Sequence, residues 1–254
     1  MEPAEYQRIF DQEERHFWYR GLHALVLASL RLELRPAPAS AVPELLDAGC
    51  GTGGLTAKLA RVGRVTGVDW SPLALELAAR RGLPRLLRGS VSALPLRKGT
   101  FDAVVSCDVL YHRAVADDAA ALAELARVCR PGGVLLLNLP AHAWMHGSHD
   151  REVHTARRYA RADLARLAAG AGLEVVRLAW FNCALFPAAA AVRLATRGGS
   201  ESKSDVRALP ALLNAPLAAW MALEGRAAAR GWLPWGLSLF AVLRKPASAA
   251  ADGA

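Results

Sequence analysis

From Glu44 onward, short apolar runs alternate with longer amphipathic ones. "ELLDAG" (44–49) has the unbroken hydrophobicity of a strand buried on both faces, and "GLTAKLARVG" (54–63) follows with helical spacing closed by Gly63. "RVTGVD" (64–69) predicts a second strand. Ser71 and Pro72 then supply an N-cap and a first helical residue for "PLALELAARRG", with Gly82 as its stop. "RLLRGS" (85–90) and "FDAVVSCDVL" (101–110) predict strands three and four, and "DDAAALAELARVCR" (117–130) a helix. Pro131-Gly132-Gly133 predicts a tight turn into a fifth strand, "VLLLNLP". "RADLARLAAGAG" (161–172) reads as a helix, "LEVVRLAW" (173–180) as strand six and "LSLFAVLRK" (237–245) as strand seven. Strands alternating with helices specify an α/β fold: a mostly parallel sheet covered on both faces. The seventh strand follows the sixth without an ordinary parallel crossover, which predicts an antiparallel closing strand.

Two regions break this rhythm. Residues 1–40 begin with charged helical sequence, continue through "HFWYRGLHALVLASL", apolar nearly all round, and end in the linker "RPAPAS". Residues 181–235 hold two alanine-rich apolar helical stretches around the polar hinge "RGGSESKSD" (197–205). The expected division is therefore an N-terminal helical lid (1–40), a core (41–180), a helical insertion (181–235), a closing strand (236–246) and a disordered tail (247–254).

Composition changes this picture little. The 53% hydrophobic fraction is ample for a core, and the net charge of +8 comes mostly from scattered arginines without the aromatic interleaving of a nucleic-acid platform. Cys50, Cys107, Cys129 and Cys183 include no C-x-x-C pair and read as buried reduced thiols. No basic and apolar leader opens the chain. The longest uncharged runs, 178–192 and 208–223, fall short of the ~18–20 residues of a membrane span. A cytoplasmic protein is expected.

The candidate chemistry starts at "LLDAGCGTGG". Gly49, Gly51 and Gly54 fit G-x-G-x-x-G, and Asp69 lies twenty residues beyond Gly49, where a dinucleotide fold keeps its ribose-binding acid. Asp47 argues for a different ligand. A carboxylate two residues before the first glycine would repel a pyrophosphate and attract an ammonium or sulfonium.

"LLDAGCGTG", "VTGVDWSP", "SALPLRKGTFDAVVSCDVLYH" and "ELARVCRPGGVLLLNLP" stand in the order and spacing of a known family. The chain resembles the class I S-adenosylmethionine-dependent methyltransferases, in their small-molecule, type 11 branch. The match runs from Leu45 to about Leu178 and more weakly to Lys245. The resemblance implies a Rossmann-like seven-stranded sheet and S-adenosyl-L-methionine as cofactor, with S-adenosyl-L-homocysteine as product. It implies that Asp47, Gly49, Cys50, Gly51 and Gly53 meet the methionine moiety, that Asp69 accepts from the ribose hydroxyls and that Trp70 flanks the adenine. Ser90 replaces the aspartate that many relatives place at the adenine amino group, with Val91 beside it; Cys107 would line the cofactor. His16–Arg20 is similar to an aromatic opening found in this branch, in which Arg20 would bind the methionine carboxylate.

The sulfonium makes its own electrophile, so the chain has to place a nucleophile and, for O or N acceptors, take up a proton. Tyr111 and His112 follow strand four. His142, His146, His149, Asp150 and His154 crowd a later loop, and His149 beside Asp150 has the make-up of an oriented base. His149, His112 and Tyr111 are the catalytic candidates, and no metal-ligand spacing is present. The expected reaction is methyl transfer to a small, apolar or lipid-like metabolite; a non-catalytic or membrane-surface module on the same fold is the alternative. The aromatic-rich insertion would cap the acceptor pocket, with a homodimer interface or peripheral membrane contact as its other readings.

Overall fold

A computed structural model describes residues 3–34, 41–146, 154–195 and 210–247. Its seven strands are β1 (Glu44–Ala48), β2 (Arg64–Asp69), β3 (Leu86–Arg88), β4 (Phe101–Cys107), β5 (Cys129–Pro140), β6 (Glu174–Phe181) and β7 (Ser238–Arg244). They form one sheet in the order β3-β2-β1-β4-β5-β7-β6, in which β7 runs antiparallel to both neighbours and the other pairs are parallel. The expected α/β architecture and antiparallel closing strand are both present. The proline–glycine turn is not a separate element. Phe101 pairs with Cys129 and Ala103 with Val134, so Arg130–Gly133 are accommodated as an irregularity within β5, with Gly132 at φ +76°.

Alternation along the central strands builds two cores. Val104, Leu135, Leu137 and Leu239 point to one face, beneath α5 (Asp118–Val128) and α6 (Arg161–Gly170). Val105, Leu136, Phe240 and Val242 point to the other, beneath α2 (Phe17–Glu33) and α3 (Gly54–Leu59). α2 contributes Leu25, Val26 and Leu30, each at most 1% exposed and each stabilising by about 1.5–3 kcal/mol when buried. Two further helices come from the insertion, α7 (Phe186–Ala195) and α8 (Ala211–Ala228).

α8 lies alongside α2 and runs in the same direction. Phe17 N–H donates to Asn214 Oδ1 at 3.1 Å, and a Cβ on Gly225 would come within 2.5 Å of the Gly21 carbonyl oxygen. Two glycines at the crossing thus let the backbones touch. The far end of α2 is tied to the sheet by Glu33, which pairs with Arg177 of β6 and Arg244 of β7. α1 (Pro3–Gln12) packs near α4 (Pro72–Ala79), whose N-cap Ser71 accepts from Ala74 N–H as the sequence predicts. No described helix is long and apolar enough to cross a membrane.

Candidate active site

The carboxyl ends of β1, β2 and β4 converge around the glycine turn. Gly49 and Cys50 N–H both donate to the Val68 carbonyl, at 2.7 and 3.0 Å, bending the chain sharply out of β1. Gly49 sits at φ +85°, and a Cβ there would lie 2.2 Å from Val109 Cγ2; no other residue fits. Gly51, at φ +53°, faces open space, where a ligand can approach the backbone.

Asp69 ends β2 and holds this turn in place. Its Oδ2 accepts from Gly51 N–H at 2.8 Å and its Oδ1 from Ser71 N–H at 2.9 Å. A pyrophosphate at such a turn relies on free backbone N–H groups. That of Gly51 is already committed to a carboxylate, so the turn is ill-suited to phosphate.

Asp47 adds to the negative potential. It is fully buried, accepts from Thr56 Oγ1 at 2.6 Å, and burial first, then Asp69 and Glu13, push its pKa up to about 7. Asp108 follows β4 at φ +60°. Asn138 of β5 donates to it through Nδ2 at 3.0 Å, and burial pushes its pKa up to about 7 as well. Asn138 Oδ1 is buried without a hydrogen-bond partner. None of Asp47, Asp69 and Asp108 is paired with a cation among the described residues. Three such carboxylates and an orphaned acceptor fit a ligand in which an ammonium and a diol donate and a sulfonium adds positive charge, as in S-adenosylmethionine.

The N-terminal segment is strapped to the same turn. Glu13, nearly fully buried, accepts from Thr52 Oγ1 at 2.6 Å and from Gly54 N–H, and pairs with Arg81 at 2.6 Å. Arg81 also donates to the carbonyls of Thr52 and Phe10 and stacks 4.3 Å over the Phe10 ring. The Tyr6 hydroxyl hydrogen-bonds with Ser71 beside Asp69. Tyr19 of α2 is buried near Glu13 and Asp108, and its pKa is raised first by burial and then by those carboxylates.

The remaining cofactor-side candidates are placed less uniformly. Trp70 is 64% exposed beside Asp69, its ring 5.4 Å from the Arg88 guanidinium, which leaves a face open for stacking. Ser90 Oγ accepts from Ser92 N–H at 3.2 Å, and Val91 is buried beneath it. The Cys50 and Cys107 thiols have pKa values raised by burial, which keeps them protonated and unreactive. Arg20 lines a different cleft, between α2 and α8, to which no glycine-turn residue contributes.

The loop after β4, where the sequence places acceptor-side candidates, is zipped to a later segment. Arg113 N–H donates to the His154 carbonyl at 2.9 Å and Ala156 N–H to that of Tyr111 at 2.8 Å, bringing the His112 and His154 rings to 5.6 Å. Arg157 braces the loop through the Val115 carbonyl and Asp118, Arg158 through the Ala141 carbonyl, and buried Tyr159 through Asp118. His112 Nδ1 accepts from Ala114 N–H at 3.1 Å, so its neutral ring presents an N–H at Nε2. Burial lowers its pKa, with His154 and Arg113 adding to the effect. His142, at φ +61°, stacks on Trp180 at 5.1 Å and meets Phe186 at 5.1 Å and Trp144 at 5.9 Å, forming an aromatic wall beyond β5 and β6. His149, Asp150 and the 198–204 hinge lie outside the described residues, among which no cluster of metal ligands is found.

Tyr19 belongs to the His16–Arg20 opening read from sequence; Glu13, Asp108 and Asn138 were not among the candidates. Only Asp108 carried a signal, as an acid directly beyond the carboxyl end of a parallel strand.

Residues 46–137 match the family described as methyltransferase domain. Over this segment the chain is similar to the class I S-adenosylmethionine-dependent methyltransferases of the type 11-like branch. A relative named ubiquinone biosynthesis O-methyltransferase, from Methylocella silvestris, is 36% identical over 141 residues, which are 53% of this chain and 51% of the relative. The chain spans 46% to 61% of the length of this and the other most similar curated relatives. Among solved structures, a chain from the complex of the Haloferax volcanii Trm112 methyltransferase activator with a methyltransferase superposes with a TM-score of 0.60 and 21% identity, over 96% of this chain and 95% of that one. Geranyl diphosphate C-methyltransferase of Streptomyces coelicolor, bound to Mg2+, geranyl diphosphate and S-adenosyl-L-homocysteine, shares the fold with a TM-score of 0.56 and 17% identity, over 87% of this chain and 78% of that one. Both structural likenesses are likenesses of fold.

Proposed function

We propose that this methyltransferase-family protein transfers a methyl group from S-adenosylmethionine to a small, apolar or lipid-like acceptor. The observation that carries the reading is the cluster of Asp47, Asp69 and Asp108, three carboxylates without a cation around an open glycine turn. Asp69 keeps further lone pairs for the ribose hydroxyls while its backbone contacts fix the turn. Asp47 and Asp108 act as counter-ions to the ligand's positive groups. Trp70 offers its exposed face to the adenine, and Ser90, Val91 and Cys107 complete the walls around Gly49–Gly53.

S-adenosylmethionine, when bound, supplies a methyl group already activated by the sulfonium charge. The chain's part is then placement and proton handling. His112 presents Nε2–H and Tyr111 lies beside it, which suits both to positioning an oxygen of the acceptor. His149 remains the candidate to take the acceptor's proton. The aromatic wall of His142, Trp144, Trp180 and Phe186 favours an apolar acceptor body, as does the quinone pathway in the name of the Methylocella relative. Phe186 begins α7, so the insertion contributes to that wall and takes part in closing the acceptor pocket.

Titration calorimetry with S-adenosylhomocysteine tests the cofactor reading, with binding expected in the micromolar range typical of metabolite sites. Transfer of labelled methyl to a panel of phenolic, quinol and prenyl acceptors tests the rest. Absence of cofactor binding by folded protein would overturn both.

A further inference from the structure

The outer face of α8 is apolar where a surface helix is ordinarily polar. Leu212, Leu213, Trp220 and Leu223 are exposed along it, Trp220 by 55%, and Trp232 just beyond the helix is 71% exposed. Beside this face a cleft of about 400 Å³ runs between α2 and α8. Its lining combines apolar side chains, Leu27 and Ala28 among them, with Arg20, Arg31, Arg226 and Arg230.

None of these four arginines forms an ion pair with a carboxylate among the described residues. Elsewhere pairing is common: Arg81 has Glu13 and Glu14, and Arg177 and Arg244 share Glu33. Helix dipoles account for Arg31 and Arg226, which lie in last turns. They do not account for Arg20, which sits in the first turn of α2, where the dipole disfavours a cation, and close enough to Lys58 to repel it. Four guanidinium groups without a carboxylate partner among the described residues, Arg230 donating only to the Arg226 carbonyl at 3.2 Å, lie beside an exposed apolar stripe. That is the pattern of an interfacial surface, in which long basic side chains reach phosphates while rings enter the headgroup layer.

We propose that the α2/α8 cleft and the outer face of α8 dock onto a membrane surface rich in anionic phospholipid. The arginines meet lipid phosphates, and Trp220, Leu223 and Trp232 insert at headgroup depth. The Arg230 guanidinium lies 5.3 Å over the Trp232 ring, joining the two kinds of contact at one corner of the face. The chain's net charge of +8 favours the same encounter. Charge also argues against a second copy of this chain as the occupant, since two-fold pairing would set the arginines of each copy against those of the other.

Flotation of the full chain with phosphatidylcholine vesicles, and with vesicles in which a third of the lipid is phosphatidylglycerol, tests this. The chain is expected to float with the anionic vesicles only and to be released by salt. Arg226→Glu combined with Arg230→Glu should lower partitioning by at least about 25-fold, at roughly fivefold per arginine near an anionic surface. Trp220→Ala should weaken partitioning severalfold and leave the salt dependence intact. Unchanged melting temperatures show that the variants fold. Equal flotation with neutral vesicles, or wild-type partitioning by the double variant, would overturn the proposal. So would a wild-type dimer by light scattering that the double variant dissociates, which would assign the face to a second copy.

Discussion

The two halves of the proposed site are built differently. The cofactor half draws on the ends of β1, β2 and β4 and is fixed mostly by backbone groups and carboxylates, many of them within Asp47–Ser71. The acceptor half is assembled from loops far apart in the chain: 109–115 against 154–159, and His142 against Trp180 and Phe186. Its contacts are largely aromatic and histidine faces, which can be exchanged without disturbing the sheet.

The contrast is broken most severely at Asp69. Asp69→Ala removes a charged acceptor of two ribose hydrogen bonds and releases Gly51 N–H, so S-adenosylhomocysteine affinity should fall by about 2–4 kcal/mol, roughly 30- to 800-fold. Calorimetry that finds less than a threefold loss would remove Asp69 from the ribose.

The next effect is of pH. Asp47 and Asp108, each pushed up to about 7, are largely protonated at pH 6 and must ionise to meet a cation. S-adenosylmethionine affinity should therefore fall about tenfold per carboxylate from pH 8 to pH 6. The ligand-free protein should show the opposite trend. Its buried acids keep protons that the unfolded chain loses from about pH 4 upward, so stability falls as pH rises to about 7 and levels beyond. Asp47→Asn should remove one carboxylate's share of both curves and leave that of Asp108, and a flat wild-type affinity profile would show that these carboxylates are not counter-ions.

The smallest effect sharpens the comparison from the other side. His112→Ala should raise the acceptor KM about fivefold, the loss of one hydrogen bond, and leave S-adenosylhomocysteine affinity within twofold. A matching loss of cofactor affinity would join the two halves into one site.

The two halves also differ in how far they can be read from sequence. Asp47, the glycines and Asp69 are legible because their partners lie within one βαβ unit at spacings that turn geometry fixes. Glu13 is not, since it meets Arg81 68 residues away through a strap whose docking no local pattern encodes. Asp108 shows its burial and positive φ only once Asn138 stands beside it. The strand alternation predicts the sheet and its antiparallel member, yet Pro131–Gly133, read as a turn, sit inside a long irregular strand because β4 and β7 both offer that strand partners. The insertion reads as helical from its apolar runs. That α8 lies along α2 follows from Gly21 meeting Gly225, a long-range match of two small residues.

The position of β7 bears on how the chain comes to be folded at all. It lies between β5 and β6, yet it is made after both. During synthesis β3, β2, β1, β4 and β5 can pair as they emerge, while β6 has no neighbour to join until residues 238–244 have left the ribosome. Until then β5 offers an open edge and the apolar faces of α2 and α8 wait over an incomplete floor, which is when such a chain is most exposed to aggregation and to chaperones. Completion of the sheet is thus a late, long-range event in the life of the nascent chain.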